Sequence, residues 1–240
     1  MMDPRHWTRR FTILVPPENL ALPPRSVLLT FDDGPNVNQQ TTARVREVLR
    51  EFDARACFCL IGRRVERHPE EARALAADGH VLVNHGYAHR FPFCLEVGTL
   101  TAEIRRGGEA IAAAIGGEPP RWYRSAGGFV TTRLREASEE AGVRIFPPVT
   151  GYARDAKLGA TGANQVVDRL LLQVRRDGGG SVVLHDGCES LDPHSPQAVD
   201  GVWGDRSWVP DALRRFLLEL RHEGYTPLDA RAWAGELGEH

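Results

Sequence analysis

Apolar runs of strand length alternate with segments of helical period along nearly all of this 240-residue chain. That alternation limits the available folds more than any other feature. Residues 26–31, Ser-Val-Leu-Leu-Thr-Phe, are a near-continuous apolar run ending in turn-forming residues, the pattern of a strand buried on both faces. Val45, Val48, Leu49 and Phe52 then fall at i, i+3, i+4 and i+7, one face of an amphipathic helix. Further strands are predicted at 56–61, 80–83, around Trp122, at 143–146, at 181–184 and at 225–228. Helices are predicted from Pro69 to Gly79, over 99–115, from Thr131 to Gly142, around Val167, Leu170, Leu171 and Val174, and from Pro210 to Gly224. The first and last of these have proline just inside the start and glycine just past the end, as helices do. Residues 147–162 read as an irregular loop. About seven strand units joined by helices require parallel pairing. One alternating series of this length favours a barrel, complete or incomplete, over a doubly wound open sheet, which remains the alternative because strand order is invisible here. In both, an active site falls at the C-terminal ends of the strands.

With 42% hydrophobic residues the chain can bury one sizeable core. Residues 26–240 are taken as a single domain and 1–25 as an N-terminal extension. Lys+Arg number 30 against 32 Asp+Glu, a net charge of −2 without the basic excess of a phosphate-binding surface, so no nucleic-acid partner is expected. No apolar run approaches the ~18 residues of a membrane-spanning helix. The apolar stretch at 11–15, followed by Pro16-Pro17, falls short of a secretory signal, and a cytoplasmic location is expected. Four cysteines, Cys57, Cys59, Cys94 and Cys188, are too scattered for a disulfide framework, and Cys57 and Cys59 read as core residues on one strand face.

Titratable groups collect where strands end. The first strand runs into Asp32-Asp33-Gly34-Pro35, the third into Asn84-His85-Gly86-Tyr87-Ala88-His89, the short fourth into Arg124, and the run at 181–184 into His185-Asp186. Histidines four apart can meet one metal, although such a pair alone is more often two surface histidines. An acidic pair on a neighbouring strand end changes the balance, because one Asp and two His form a facial set with open positions for water and substrate. The second Asp can then be a general base. The plainer reading of Asp-Asp-Gly-Pro is a strand-ending turn. A turn does not need adjacent carboxylates, however, and a cation would offset their repulsion. His185 is a candidate general acid or else a satisfied core histidine, and Arg124 orients a carboxylate or is one of many exposed arginines. Together these residues spell metal-assisted hydrolysis.

In content and order the motifs resemble the NodB-homology polysaccharide deacetylases, carbohydrate esterase family 4, from about residue 26 to 233. Thr30-Phe31-Asp32-Asp33-Gly34-Pro35 matches the first motif of that family without a change. The resemblance implies a distorted (β/α)7 barrel. It implies Asp32 as catalytic base, and Asp33, His85 and His89 as ligands of a divalent metal. Zinc is the default ion, with cobalt, nickel or manganese also suited. By the same resemblance Arg124 holds the base carboxylate, His185 is the proton donor, and Val183 and Leu184 line the acetyl pocket. Asp155 would tune His185.

The departures from the family pattern are as specific. Gly86 stands where Ser or Thr is usual. Arg124-Ser125-Ala126-Gly127-Gly128 replaces Arg-Pro-Pro-Tyr-Gly. Gly127 thus keeps the backbone N–H that contributes to the oxyanion hole but loses an aromatic wall. Asp155-Ala156 replaces Asp-Trp, and a second wall is lost. The long irregular stretch 187–208, with His194, Trp203 and Trp208, reads as a binding loop on the same face, Trp203 being its substrate contact. The expected activity is N-deacetylation of an amino sugar, on a small or intermediate-sized cytosolic substrate or oligosaccharide. Hydrolysis of a non-sugar linear or cyclic amide is one alternative, and a degenerate glycan- or metabolite-binding protein is another.

Overall fold

The structure is a computed structural model describing residues 22–155, 160–187 and 205–236. Among these are eight strands: β1 (Ser26–Gly34), β2 (Cys57–Leu60), β3 (Val81–Asn84), β4 (Trp122–Tyr123), β5 (Arg144–Ile145), β6 (Gly151–Tyr152), β7 (Gly180–His185) and β8 (Thr226–Pro227). The helices are α1 (Thr41–Glu51), α2 (Gly62–Arg67), α3 (Pro69–Ala77), α4 (Val97–Ile115), α5 (Thr132–Ala141), α6 (Ala163–Asp177), α7 (Val209–His222) and α8 (Ala230–Glu236). Every strand pairing is parallel, in the order β5-β4-β3-β2-β1-β7-β6, with β8 against the start of β1. The sheet curls into a distorted (β/α)7 barrel left open between β5 and β6, the first of the two topologies that the alternation allowed.

Three elements depart from the sequence reading. The stretch 147–162 contains β6, whose two residues are too few to show any periodicity. The six-residue α2 and seven-residue α8 were not anticipated, being too short to show a full amphipathic repeat.

Of three apolar clusters among the described residues, the two larger follow from the two faces of the sheet, and a third joins Leu100 and Ile104 of α4 to Leu134 of α5. Leu29 and Phe31 of β1, Phe58 and Leu60 of β2, and Val182 and Leu184 of β7 pack outward against helical residues such as Val45, Leu170 and Phe216. Leu28, Cys57, Cys59, Val83, Trp122 and Phe146 face the concave side, where Trp233 of α8 closes the cup. Trp233 stacks on Trp122 at 5.9 Å and meets Phe146 at 5.3 Å. The concave face is therefore plugged below and polar above. Thr30 and Asp32 continue the inward series of β1, and the register places Asp32 opposite His185 and Thr30 opposite Val183.

Candidate active site

Strand geometry alone would separate Asp32 from Asp33, because successive side chains point to opposite faces. The β1–β2 register shifts between Asp32 and Gly34, and Asp33 takes φ +69°. This local irregularity re-aims Asp33, so that both carboxylates serve one site. Gly187 sits so close beneath that a Cβ there would collide with the Asp33 carbonyl, which also accepts from Arg64 at 3.0 Å. On the other side of the turn Thr42 donates to the buried Asp186 carboxyl, and Asn36 donates to its backbone oxygen at 2.8 Å. Burial pushes Asp186 up to about 6.

Asp33 Oδ1 lies 3.4 Å from His85 Nε2 and 3.2 Å from His89 Nε2. One ligand atom from each residue falls within 4.8 Å of the others. His85 Nδ1 is 2.8 Å from the Arg124 carbonyl oxygen; donation to that oxygen fixes the tautomer and leaves Nε2 as a lone-pair donor toward Asp33. His89 reaches the same point because Gly86 (φ +80°) and His89 (φ +55°) fold the loop tightly. Two imidazole nitrogens and a carboxylate oxygen in a buried cluster fit a borderline divalent cation such as zinc. Burial alone would raise the Asp33 carboxyl, but His89 beside it holds it well below the usual carboxylate range.

The base candidate is held separately. Arg124 Nη1 donates to Asp32 Oδ1 at 2.6 Å and to Thr30 Oγ1 at 2.9 Å, while its guanidinium lies 4.4 Å over the Phe146 ring. Burial opposes ionisation of Asp32, yet Arg124, His85 and His185 outweigh it and keep the carboxyl below its ordinary value. His185 faces Asp32 across the β1–β7 pairing. Its Nδ1 is 2.8 Å from Asp155 Oδ1, and its backbone N–H donates to Asp155 Oδ2 at 2.7 Å. Burial disfavours the charged ring, but Asp155, with Asp33 and Asp32 beyond it, raises His185 to about 9.

The structure thus brings together Asp32, Asp33, His85, His89, Arg124, Asp155 and His185. Val183 lies on their side of β7, opposite Thr30. Leu184 is not with them: it points outward into the helix-facing core with Phe31. Gly127 (φ +69°) lies on a turn after β4, and a Cβ there would meet Phe91 and Phe129 at 2.8 Å each. The space beside Gly127 is thus already lined by aromatic rings. Phe91 is 6.1 Å from His89 and 6.4 Å from Phe129, which is 38% exposed. Tyr152, 43% exposed, lies 6.2 Å from His185 on the opposite flank. Ala156 and Trp203, and residues 188–204 of the expected binding loop, lie outside the described residues.

Several contributors were not singled out from the sequence. Asn84 Oδ1 accepts from Gly86 N–H at 2.9 Å and its Nδ2 donates to Ile104 at 2.7 Å, while Glu103 accepts from Ala88 N–H. These contacts tie the His85–His89 loop to α4, on the side where Gly86 offers no hydroxyl. Arg206, 1% exposed, donates from Nη2 to Asp155 Oδ2 at 2.6 Å and to the His185 carbonyl at 2.7 Å. Its Nη1 reaches the Asp155 carbonyl at 2.9 Å, and its Nε reaches the His185 carbonyl at 2.9 Å.

Known proteins resemble this chain over most of its length. Residues 19–146 match the profile of the polysaccharide deacetylase family. A chitooligosaccharide deacetylase of Rhizobium leguminosarum bv. trifolii is 32% identical over 180 residues, covering 75% of this chain and 80% of the relative. A peptidoglycan-N-acetylglucosamine deacetylase of Bacillus cereus is 27% identical over 200 residues, 83% of each chain. The solved peptidoglycan deacetylase PdaC of Bacillus subtilis superposes with a TM-score of 0.68 at 22% identity, over 90% of this chain and 92% of that one. Fold and relatives together define a hydrolase of carbon–nitrogen bonds other than peptide bonds, an N-deacetylase. The chain belongs to the polysaccharide deacetylase family.

Proposed function

We propose that this enzyme removes the acetyl group from N-acetylglucosamine-type units of a short oligosaccharide, using a divalent metal, zinc by preference, held by Asp33, His85 and His89. The observation that carries the reading is the convergence of those three donors beside a second, separately held carboxylate. A cation there would supply Lewis-acid polarisation of the acyl carbonyl and acidification of water. Asp32 has Oδ1 committed to Arg124, leaving Oδ2 to take the proton of the attacking water. The backbone N–H of Gly127 is the candidate donor to the developing oxyanion. His185, its Nδ1 engaged by Asp155, offers Nε2 to protonate the departing amine. The similarity to a chitooligosaccharide deacetylase supports an oligosaccharide substrate, and no observation favours a non-sugar amide or a pure binder.

The test is metal analysis of purified protein, paired with amine release from N-acetylglucosamine oligomers with and without chelator. About one metal per chain and chelator-sensitive release are expected. Metal-replete protein with no release from any oligomer would overturn the reading. The aromatic rims are expected to bind the sugar. Phe129→Ala, at a ring that packs on Phe93 at 4.7 Å and Phe91 at 6.4 Å, should raise KM about tenfold at nearly constant kcat, the worth of one stacking contact. Steady-state kinetics on a chitooligomer series would check it.

A further inference from the structure

We propose that Arg206 is a positioning residue for the proton donor. It holds Asp155 and the His185 backbone in one buried clamp, and it keeps the Asp155 carboxylate compensated once His185 has given up its proton. The inference rests on the reading of His185 as proton donor but adds a residue outside the motifs that support it.

The geometry is that of a built clamp. Asp155 is fully buried and Arg206 nearly so, and four donor–acceptor contacts of 2.6–2.9 Å run from one guanidinium to Asp155 Oδ2, the Asp155 carbonyl and the His185 carbonyl. Trp208 lies 4.7 Å from the guanidinium carbon and shields it from water. The carboxylate is thereby shared, Oδ1 toward the imidazole and Oδ2 toward the guanidinium and the His185 N–H. Fixing both backbone carbonyls and the carboxylate leaves the imidazole little freedom to leave the line between Asp155 and the substrate.

Before transfer the group holds the Arg206 cation, the Asp155 anion and the His185 imidazolium. After the N–H bond of His185 Nε2 breaks and the proton passes to the leaving nitrogen, the Arg206–Asp155 pair remains neutral as a unit. Without Arg206, the same transfer would strand a buried carboxylate beside a neutral ring, which is unfavourable in a low-dielectric interior. Arg206 therefore makes His185 a better acid, whereas Asp155 alone makes it a weaker one. Other charged or titratable groups facing the ring are Asp32 and Asp33 from β1 and Tyr152 from β6, and Asp205 adjoins Arg206.

The experiment compares wild type, Arg206→Met, Arg206→Lys and Asp155→Asn in metal-loaded full-length protein. Arg206→Met is expected to lose about 10–100-fold in kcat, the usual effect of losing an outer-layer partner, with KM and metal content within about twofold. The His185 ring titration, followed by NMR independently of turnover, should move upward in Arg206→Met and downward in Asp155→Asn. Arg206→Lys, which keeps the charge but not the fork, should recover part of kcat and leave the titration near the wild-type value. A folded Arg206→Met with wild-type kcat and His185 titration would overturn the proposal and leave a purely structural staple. If that variant does not fold, unchanged kcat in Arg206→Lys would overturn it equally. An inactive wild type would count against the deacetylase reading, while the NMR comparison would still decide the role of Arg206.

Discussion

With Asp33, His85 and His89 as the proposed metal ligands, Asp33→Asn is expected to abolish both metal binding and activity while leaving the fold intact. Asparagine is the appropriate replacement because the position adopts φ +69°, a conformation that Asn tolerates and Ala does not. The amide keeps the shape but removes the charge that two histidines face at 3.2 and 3.4 Å. A neutral amide oxygen is a far poorer partner for a divalent cation, so metal affinity should fall by more than about 100-fold, beyond what loss of an outer-layer contact costs. Without Lewis-acid assistance worth several kcal/mol, the rate should drop on the order of 10³–10⁴-fold. Metal content after dialysis and kcat/KM measure the two effects on one preparation. Normal metal content with wild-type turnover would sink the assignment of Asp33 as ligand.

Asp32→Asn should give the complementary result, with metal retained and turnover lost. The amide oxygen can still accept from Arg124 Nη1, which now donates at 2.6 Å to Oδ1, so the local geometry is preserved. What disappears is an acceptor for the proton of the attacking water. A positioned general base contributes about 10²–10⁴-fold, and kcat should fall within that range. The buried Arg124 also loses its counter-charge, so the midpoint of thermal unfolding should fall, because one charge of a buried pair is left uncompensated. Metal analysis separates this variant from Asp33→Asn: one keeps the ion and the other does not. A variant that kept its metal and more than about a tenth of wild-type kcat would remove Asp32 from the role of base, given the usual size of that contribution.

What the sequence revealed of the site depended on residues at the ends of long apolar runs. Asp32, His85 and His185 each follow a strand whose pattern locates it, and parallel topology places all such ends on one edge. The orientation of Leu184 was also legible in principle, since it alternates with Val183 and His185 and pairs with the outward Phe31. Only the resemblance to the family motif puts it beside Val183 in the acetyl pocket. Arg206 was not legible. It touches Asp155 across 51 positions of sequence, and no local pattern distinguishes it from the other arginines. Phe91 and Phe129 were missed for other reasons: Phe91 is 36 positions from Gly127, and Phe129, only two positions on, comes beside it because Gly127 and Gly128 both take positive φ. Of the secondary structure, the two-residue β6 and the short α2 and α8 fell below the length at which periodicity can be read.

The irregularity at Asp33 has a final consequence. Because Asp32 and Asp33 are consecutive and both turn into the site, the separation of their two backbones is set by one peptide unit. It acts as a covalent ruler, insensitive to how helices shift or how the barrel breathes. The histidines arrive from another strand and Arg124 from a third, so the surrounding scaffold can drift while that one dimension stays fixed. Loops around the rim are free to diversify without changing how far apart those two carboxylates are anchored.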